Sequence, residues 1–334
     1  MSSTPIPVAV IGCGRMGRLH ARCYSQMPEV RLVGVYDRIA KAADETAAQY
    51  NTTPFTDPAP LLEQVKAVTI ATPTESHLAA AEPFLGRGIA CLIEKPLARN
   101  VAECQSIVDL ARRHRAIVQV GHIERFNPIV VALRKLDLFP RYLETTRISP
   151  MTFRSMDVGV VLDMMIHDID IVLALVNSRP VNVDAVGAAV LGTAEDSCTA
   201  RVTFENGAVA TLTASRLAMK TERRLRLFTA DAFVSLDYAK KTAVLIKAED
   251  NVPLLRETAA KVWAGEIDPA TLNYPQMVKM HELQADAAEP IRAELDAFVH
   301  AVRTNTPPLI PAEAGLANVS LAEQIVAAMG QGKL

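Results

Sequence analysis

Short apolar runs alternate with helical patterns through the first third of the chain. Val8–Ile11, Arg31–Tyr36, Ala67–Ala71, Ile89–Ile93 and Ala116–Gly121 are runs of the length expected of strands buried on both faces. Helical patterns follow the first run, occupy Lys41–Tyr50, begin near Glu75 with Thr74 as N-cap, and span Val101–His114. Asn51–Pro60 is punctuated by turn residues. Strand and helix in alternation predict a parallel, doubly wound sheet with right-handed crossovers. The pattern changes after Gly121. A helix over Pro128–Leu138, a strand over Tyr142–Ser149 and a long helix over Asp157–Val176 come first. Strands then follow at 181–191, 197–205, 208–216, 223–229, 232–236 and 242–246, with Asn206-Gly207 marking a type I′ hairpin. Residues 249–281 show no period, and helices near Pro290–Arg303 and Ala312–Met329 close the chain. The expectation is an α/β domain over residues 1–121 and an α+β domain over 122–334, the latter built on a large, mostly antiparallel open sheet.

Composition narrows the function. A length of 334 residues suits two domains, because single cores stop growing near ~250–300 residues. A net charge of -2 leaves no broad basic field, so no nucleic-acid partner is expected. The five cysteines form no CxxC pair, which suits free thiols in a reducing compartment. The start of the chain lacks a basic segment followed by an apolar one, and no run approaches the ~20 apolar residues of a membrane span. The expectation is a cytoplasmic protein with no membrane partner.

The first strand runs into Gly12-Cys13-Gly14-Arg15-Met16-Gly17, a G-x-G-x-x-G. Gly12 serves the tight turn, Gly14 lets a pyrophosphate approach the backbone, and Gly17 allows close packing of helix on strand. The anion would sit at the start of the following helix, where unpaired N–H groups and the macrodipole favour negative charge. Asp37 ends the second strand, 20 residues beyond Gly17. A carboxylate there accepts from ribose hydroxyls and repels a 2′-phosphate, so a Rossmann domain binding NAD is expected ahead of NADP, with the adjacent Arg38 able to soften the preference. A glycine turn serving packing alone is the alternative. Thr72, Pro73 and His77 follow the third run, at the carboxyl edge of the sheet where ligands bind, although a histidine there also suits a helix surface. Glu94-Lys95-Pro96 reaches the same edge.

Lys95 and a second group, Asp163 and His167 at i and i+4 on one helical face, are the candidates for chemistry. An imidazole titrates near ~6.5 and can take a hydroxyl proton, while an ammonium can hold the same oxygen. Hydride loss from carbon with proton loss from oxygen is alcohol oxidation. Asp163 could orient the substrate or the imidazole, and Asp168 and Asp170 could add polar contacts. Read singly, H-D-x-D is a solvated helix face and a lysine before proline a loop residue. His122, Glu124, Arg125 and Asn127 form a polar cluster where the first domain ends; Arg125 could fork onto a diphosphate and Asn127 could bond a hydroxyl or acetamido group. Arg125 could equally pair with Glu124 or Glu94. No histidine or cysteine spacing matches a zinc pattern, so no metal is expected. Trp263 is expected in packing.

Taken together, Gly12-x-Gly14-x-x-Gly17 with His20, Thr72-Pro73 with His77, Glu94-Lys95-Pro96 and Asp163-x-x-x-His167 resemble the glucose-fructose oxidoreductase/inositol dehydrogenase family, Gfo/Idh/MocA, in the family's order and over nearly the whole chain. The resemblance implies an NAD(P)-dependent oxidoreductase of a sugar, cyclitol or sugar nucleotide, with Lys95 and His167 as the catalytic pair and Asp163 as partner. The approach to the aspartate departs from the usual glycine-rich form: it reads Asp157-Val158-Gly159-Val160-Val161-Leu162 and is followed by Met164-Met165, which bears on the shape of the sugar pocket. Within the family, Gly121–Pro128 and Asp157–Asp163 are most similar to the branch that oxidises the 3-hydroxyl of UDP-N-acetylglucosamine to a ketone, which an aminotransferase then converts to an amine on the route to lipid A. Another polyol as substrate, or a dinucleotide-binding regulator without chemistry, are the alternatives. The open sheet needs covering, which predicts a homodimer or homotetramer.

Overall fold

The computed structural model describes residues 4–152, 158–191 and 193–331, so Asp157, at the start of the expected long helix, lies outside the described residues. The elements divide into two units, one up to Phe126 with Ala288–Ala327, the other Asn127–Ala287 with the chain from Ala328 on.

In the first unit β1 (Ile6–Ile11), α1 (Arg15–Ser25), β2 (Val30–Tyr36), α2 (Ala40–Tyr50), β3 (Thr53–Phe55), β4 (Ala67–Ile70), α3 (His77–Leu85), β5 (Ala90–Glu94), α4 (Val101–His114) and β6 (Val118–Gly121) build a six-stranded sheet of order β3-β2-β1-β4-β5-β6. All its pairs are parallel. The strand order reverses between β1 and β4, and in such a sheet ligands bind at that point, beyond the strands' carboxyl ends.

The second unit contains α5 (Pro128–Arg134), β7 (Tyr142–Ile148), a π-helical turn (Val161–Met165), α6 (Ile166–Val176) and the strands β8 (Pro180–Ala188), β9 (Ser197–Phe204), β10 (Val209–Ser215), β11 (Glu222–Phe228), β12 (Ala232–Asp237) and β13 (Thr242–Lys247). α7 (Ala248–Trp263), α8 (Tyr274–Met277) and β14 (His281–Glu282) complete it. Its eight-stranded sheet has the order β14-β13-β12-β11-β7-β10-β9-β8 and is antiparallel except at β7–β10. β7 alternates strictly, with Leu143, Thr145 and Arg147 buried, and α6 packs on β7 and β10.

Several expectations need correction. The helices α9 (Pro290–Thr304) and α10 (Ala312–Gln331) were assigned to the second domain by the division at residue 121, yet α9 and most of α10 belong to the first unit. Ile291, Leu295, Phe298 and Val299 of α9 share one hydrophobic cluster with Val8, Val10 and Tyr24, while Ala312 and Val319 of α10 join Leu97 and Val120 in another. Fully burying a Leu or Phe contributes roughly 1.5–3 kcal/mol, so the sheet takes these apolar stripes wherever they stand in sequence. The 206–207 hairpin forms, but Gly207 alone has positive φ (+83°) and its N–H bonds to the Phe204 carbonyl. That is a type I turn closed by a left-handed glycine rather than type I′. The segment without period contains α7, in which Asn251 is the sole buried residue. Its apolar residues Val252, Leu255, Ala259 and Val262 do recur at helical spacing but are only partly buried, and Pro253 inside the helix interrupts the pattern. Trp263, at its end, is exposed rather than packed. The expected 128–138 helix stops at Arg134, and among the described residues the expected 157–176 helix is a π-helical turn followed by α6. No helix among the described residues is long and apolar enough to cross a membrane, and all five cysteines are free and buried.

Candidate active site

The glycines of the first unit meet the requirements set by their spacing. Gly12 has φ +99°, and a Cβ there would lie 2.6 Å from the Ala71 carbonyl oxygen; a Cβ on Gly17 would lie 1.7 Å from the Gly12 oxygen. A Cβ on Gly14 would meet nothing within 4 Å, so its backbone borders open space. No side chain caps α1, which starts at Arg15 and Met16 directly behind Gly14. Its first N–H groups are therefore disposed as an anion site. Asp37 accepts from the Cys13 N–H (2.7 Å, Oδ2) and the Ile39 N–H (2.8 Å, Oδ1), which fixes the carboxylate beside the loop. Two oxygens carry about four acceptor sites, so capacity for ribose hydroxyls remains.

A cleft of about 520 Å³ opens at this edge, lined by Gly12, Gly14, Asp37, Arg38, Thr72 and Pro73 among others. Thr72 Oγ1 is buried without a hydrogen-bond partner among the described residues, a donor available to a bound group. An uncapped helix start, a glycine with open space and an orphaned hydroxyl together fit a dinucleotide. Ile39, Pro58 and Pro83 also line the cleft and escaped the sequence reading, because an apolar wall for a base carries no motif.

His77 is neither a surface residue nor part of the cleft lining. It is buried, with Nε2 3.0 Å from the Thr72 carbonyl and Nδ1 3.0 Å from that of Pro96, so it ties the two edge loops together. Burial pushes its pKa down, opposed by those carbonyl contacts. Glu94 ends β5 and Lys95 follows, half-buried, with a cis peptide bond to Pro96; the Lys95 N–H donates to Glu94 Oε2 (3.3 Å). His122 is buried, its Nε2 2.9 Å from Asn318 Nδ2, and Arg125, near the end of the first unit, is also buried, while the neighbouring Glu124 is partly exposed.

In the second unit Asn127 caps α5 (Ile129 N–H to Oδ1, 3.3 Å) and its Nδ2 donates to the Tyr238 carbonyl (3.3 Å). Asp163 lies in the π-helical turn and His167 in the first turn of α6, both half-buried. π-turns inside helices recur at functional sites. Glu195 holds its start, accepting from Val161 N–H (3.0 Å) through its side chain and Val160 N–H (3.0 Å) through its carbonyl; a Cβ on Gly159 would come 2.0 Å from the Glu195 carboxylate. The solvated-face reading of H-D-x-D fails, because Asp168 and Asp170 are buried. Asp168 takes two bonds from Arg147, Nε to Oδ2 at 2.7 Å and Nη2 to Oδ1 at 3.0 Å, and the guanidinium lies 5.4 Å from the centre of the Tyr238 ring. Arg147 was missed, although an arginine at an inward position of an alternating strand is a readable signal. Lys95 thus stands on the first unit, and Asp163 and His167 on the second.

A glycine-cradled cleft on a parallel sheet, followed by a unit that carries an aspartate in a π-helical turn and a histidine one turn on in the next helix, defines a dinucleotide-binding oxidoreductase. Residues 6–122 match the family described as "Oxidoreductase family, NAD-binding Rossmann fold", and residues 139–234 match the GFO/IDH/MocA C-terminal domain. The chain belongs to the Gfo/Idh/MocA oxidoreductase family. It is 40% identical over 234 residues to a UDP-N-acetylglucosamine 3-dehydrogenase of Acidithiobacillus ferrooxidans, covering 70% of this chain and 74% of that one. The solved structure of that organism's UDP-N-acetylglucosamine 3-dehydrogenase GnnA superposes with a TM-score of 0.86 at 32% identity, covering 98% of this chain and 99% of that one. An inositol 2-dehydrogenase of Rhizobium meliloti is 30% identical over 192 residues, 54% of this chain and 58% of that one. A levoglucosan dehydrogenase in complex with NADH shares the fold, with a TM-score of 0.82 at 18% identity over 98% of each chain.

Proposed function

We propose that this protein oxidises the 3-hydroxyl of UDP-N-acetylglucosamine, or a closely related nucleotide sugar, to the 3-ketone with NAD. The 40% identity to a UDP-N-acetylglucosamine 3-dehydrogenase over 234 residues carries this reading. Bound nicotinamide supplies the acceptor for the hydride that leaves the carbinol carbon. Gly12, Cys13, Gly14, Arg15, Met16 and Gly17 hold the pyrophosphate, Asp37 holds the ribose, and Thr72 and Pro73 wall the cleft. The Asp37 carboxylate opposes a 2′-phosphate, which favours NAD, although the exposed Arg38 stands beside it. In the reaction His167 takes the hydroxyl proton, the Lys95 ammonium hydrogen-bonds the same oxygen, and Asp163 orients the sugar or the imidazole. Arg125 and Glu124, with His122 and Asn127, serve the substrate side, the guanidinium facing the diphosphate. An aminotransferase would consume the ketone, and the exposed Val181 and Val186 of β8 support self-association as a dimer or tetramer.

The test is reduction of NAD by the purified protein with UDP-N-acetylglucosamine, against inositol and free hexoses. Turnover should require the nucleotide sugar, and Lys95→Ala and His167→Ala should each lower kcat by ~10²–10⁴-fold. Wild-type turnover in both variants would remove the assignment, and a preference for inositol would transfer the substrate to the cyclitols.

A further inference from the structure

Behind Lys95 the first unit encloses a polar cluster that the mechanism above does not use. His20 of α1 and Glu294 of α9 are completely buried, and Glu94 is 8% exposed. One nitrogen or oxygen from each lies within 4.8 Å of the others, and His20 Nε2 is 3.0 Å from Glu94 Oε1, close but not aligned as a hydrogen bond. Among the described residues, neither carboxyl oxygen of Glu294 has a hydrogen-bond partner. Around them, Thr69 of β4 faces His20 Nδ1 (3.4 Å) and the Tyr24 hydroxyl of α1 (3.0 Å), and Gln119 of β6 donates to the Glu294 carbonyl (3.0 Å). The turn Ile123–Phe126, which packs against α9, carries Glu124 and Arg125.

Two ionised carboxylates within 4.8 Å of each other repel, and burial strips all hydration from Glu294 and most of it from Glu94. A proton on one removes the repulsion and creates a donor for the other. We propose that Glu294 is a positioning residue for Lys95: its neutral carboxyl shares its proton with Glu94, and the Glu94 carboxylate so held accepts the Lys95 N–H and sets the course of the chain at the ammonium-bearing residue. Burial, and after it the Glu94 charge, push the Glu294 pKa well above the ordinary glutamate range, in keeping with this arrangement. Gly121, paired with Glu94 across β5–β6, leaves the room: a Cβ there would lie 3.1 Å from Glu94 Cδ and Oε2. The proposal rests on the catalytic role of Lys95 given above.

Two measurements separate it from that role. Infrared difference spectra of the wild type against Glu294→Gln should show one protonated-carboxyl stretch at neutral pH, present only in the wild type. Its absence from the wild type, its persistence in the variant, or a stoichiometric divalent metal in the purified protein would overturn the shared proton whether or not any sugar is turned over. With the substrate that the wild type accepts, Glu294→Gln, whose amide can still donate, should keep kcat within about threefold and hold it to higher pH than the wild type does, while Glu294→Leu should lower kcat up to ~10²-fold at near-constant KM for NAD. Equal losses in both variants, or an unchanged alkaline limb in Glu294→Gln, would reduce Glu294 to packing; should Glu294→Leu fail to fold, the infrared arm and the Glu294→Gln pH profile still decide.

Discussion

Each unit buries a charged network beside a residue proposed for the chemistry, and the two networks are built on opposite principles. Beside His167, Asp168 faces an arginine in a two-bond fork, so opposite charges meet in matched geometry. Beside Lys95, Glu94 faces a second glutamate with His20 as its other neighbour, so like groups meet and a proton must mediate. The same isosteric exchange, carboxyl to amide, should therefore give opposite results. An amide imitates a protonated acid well and a carboxylate badly.

The largest effect is expected at the ion pair. Asp168→Asn leaves the Arg147 charge buried without its counter-ion, which costs about 3–5 kcal/mol, whereas Glu294→Gln should cost less than about 1 kcal/mol near neutral pH. Urea unfolding of the two variants measures both, and similar losses would erase the contrast. Next in size is the pH dependence. A carboxyl whose folded pKa is raised keeps its proton when the unfolded chain has released it, so stability falls as pH climbs from the ordinary glutamate range towards the raised folded value. The slope is about 1.4 kcal/mol per pH unit for one proton, and Glu294→Gln should lack it. Thermal unfolding from pH 5 upwards checks this; parallel curves for wild type and variant would count against a raised Glu294. The smallest is Gly121→Ala, which presses a methyl 3.1 Å from the Glu94 carboxyl and should cost roughly 1 kcal/mol while raising the sensitivity of kcat to pH. A silent Gly121→Ala would show that the acid cluster has slack.

How far these features could be read from sequence follows from how local their causes are. The glycine turn, the edge loops and Asp37 were legible because a turn, a helix start and a strand end each need particular residues at fixed spacing. Glu294 was not, since an acid in an amphipathic helix looks solvated. Its place in the stripe Ile291, Leu295, Phe298 was the available warning, but only with the partner face known. Arg147 did carry a local signal, its inward place in an alternating strand, but nothing local named Asp168 as its partner. The assignment of α9 and α10 to the second domain failed because an apolar stripe says that it will be covered and not by which sheet. The π-helical turn escaped because its sequence is as compatible with ordinary helix, and the hold that Glu195 has on it is a contact between segments distant along the chain.

The position of α9 in the chain also sets a schedule. The strands of the nucleotide half precede residues 127–287 in the chain, yet the helix that covers Tyr24 and brings Glu294 to Glu94 follows them. At ribosomal speeds of ~5–20 residues per second, the intervening residues 127–287 take roughly 10–30 s to synthesise. For that interval the nascent N-terminal sheet lacks the helix that covers its apolar flank, so the cofactor half closes its core only after the second unit has been made.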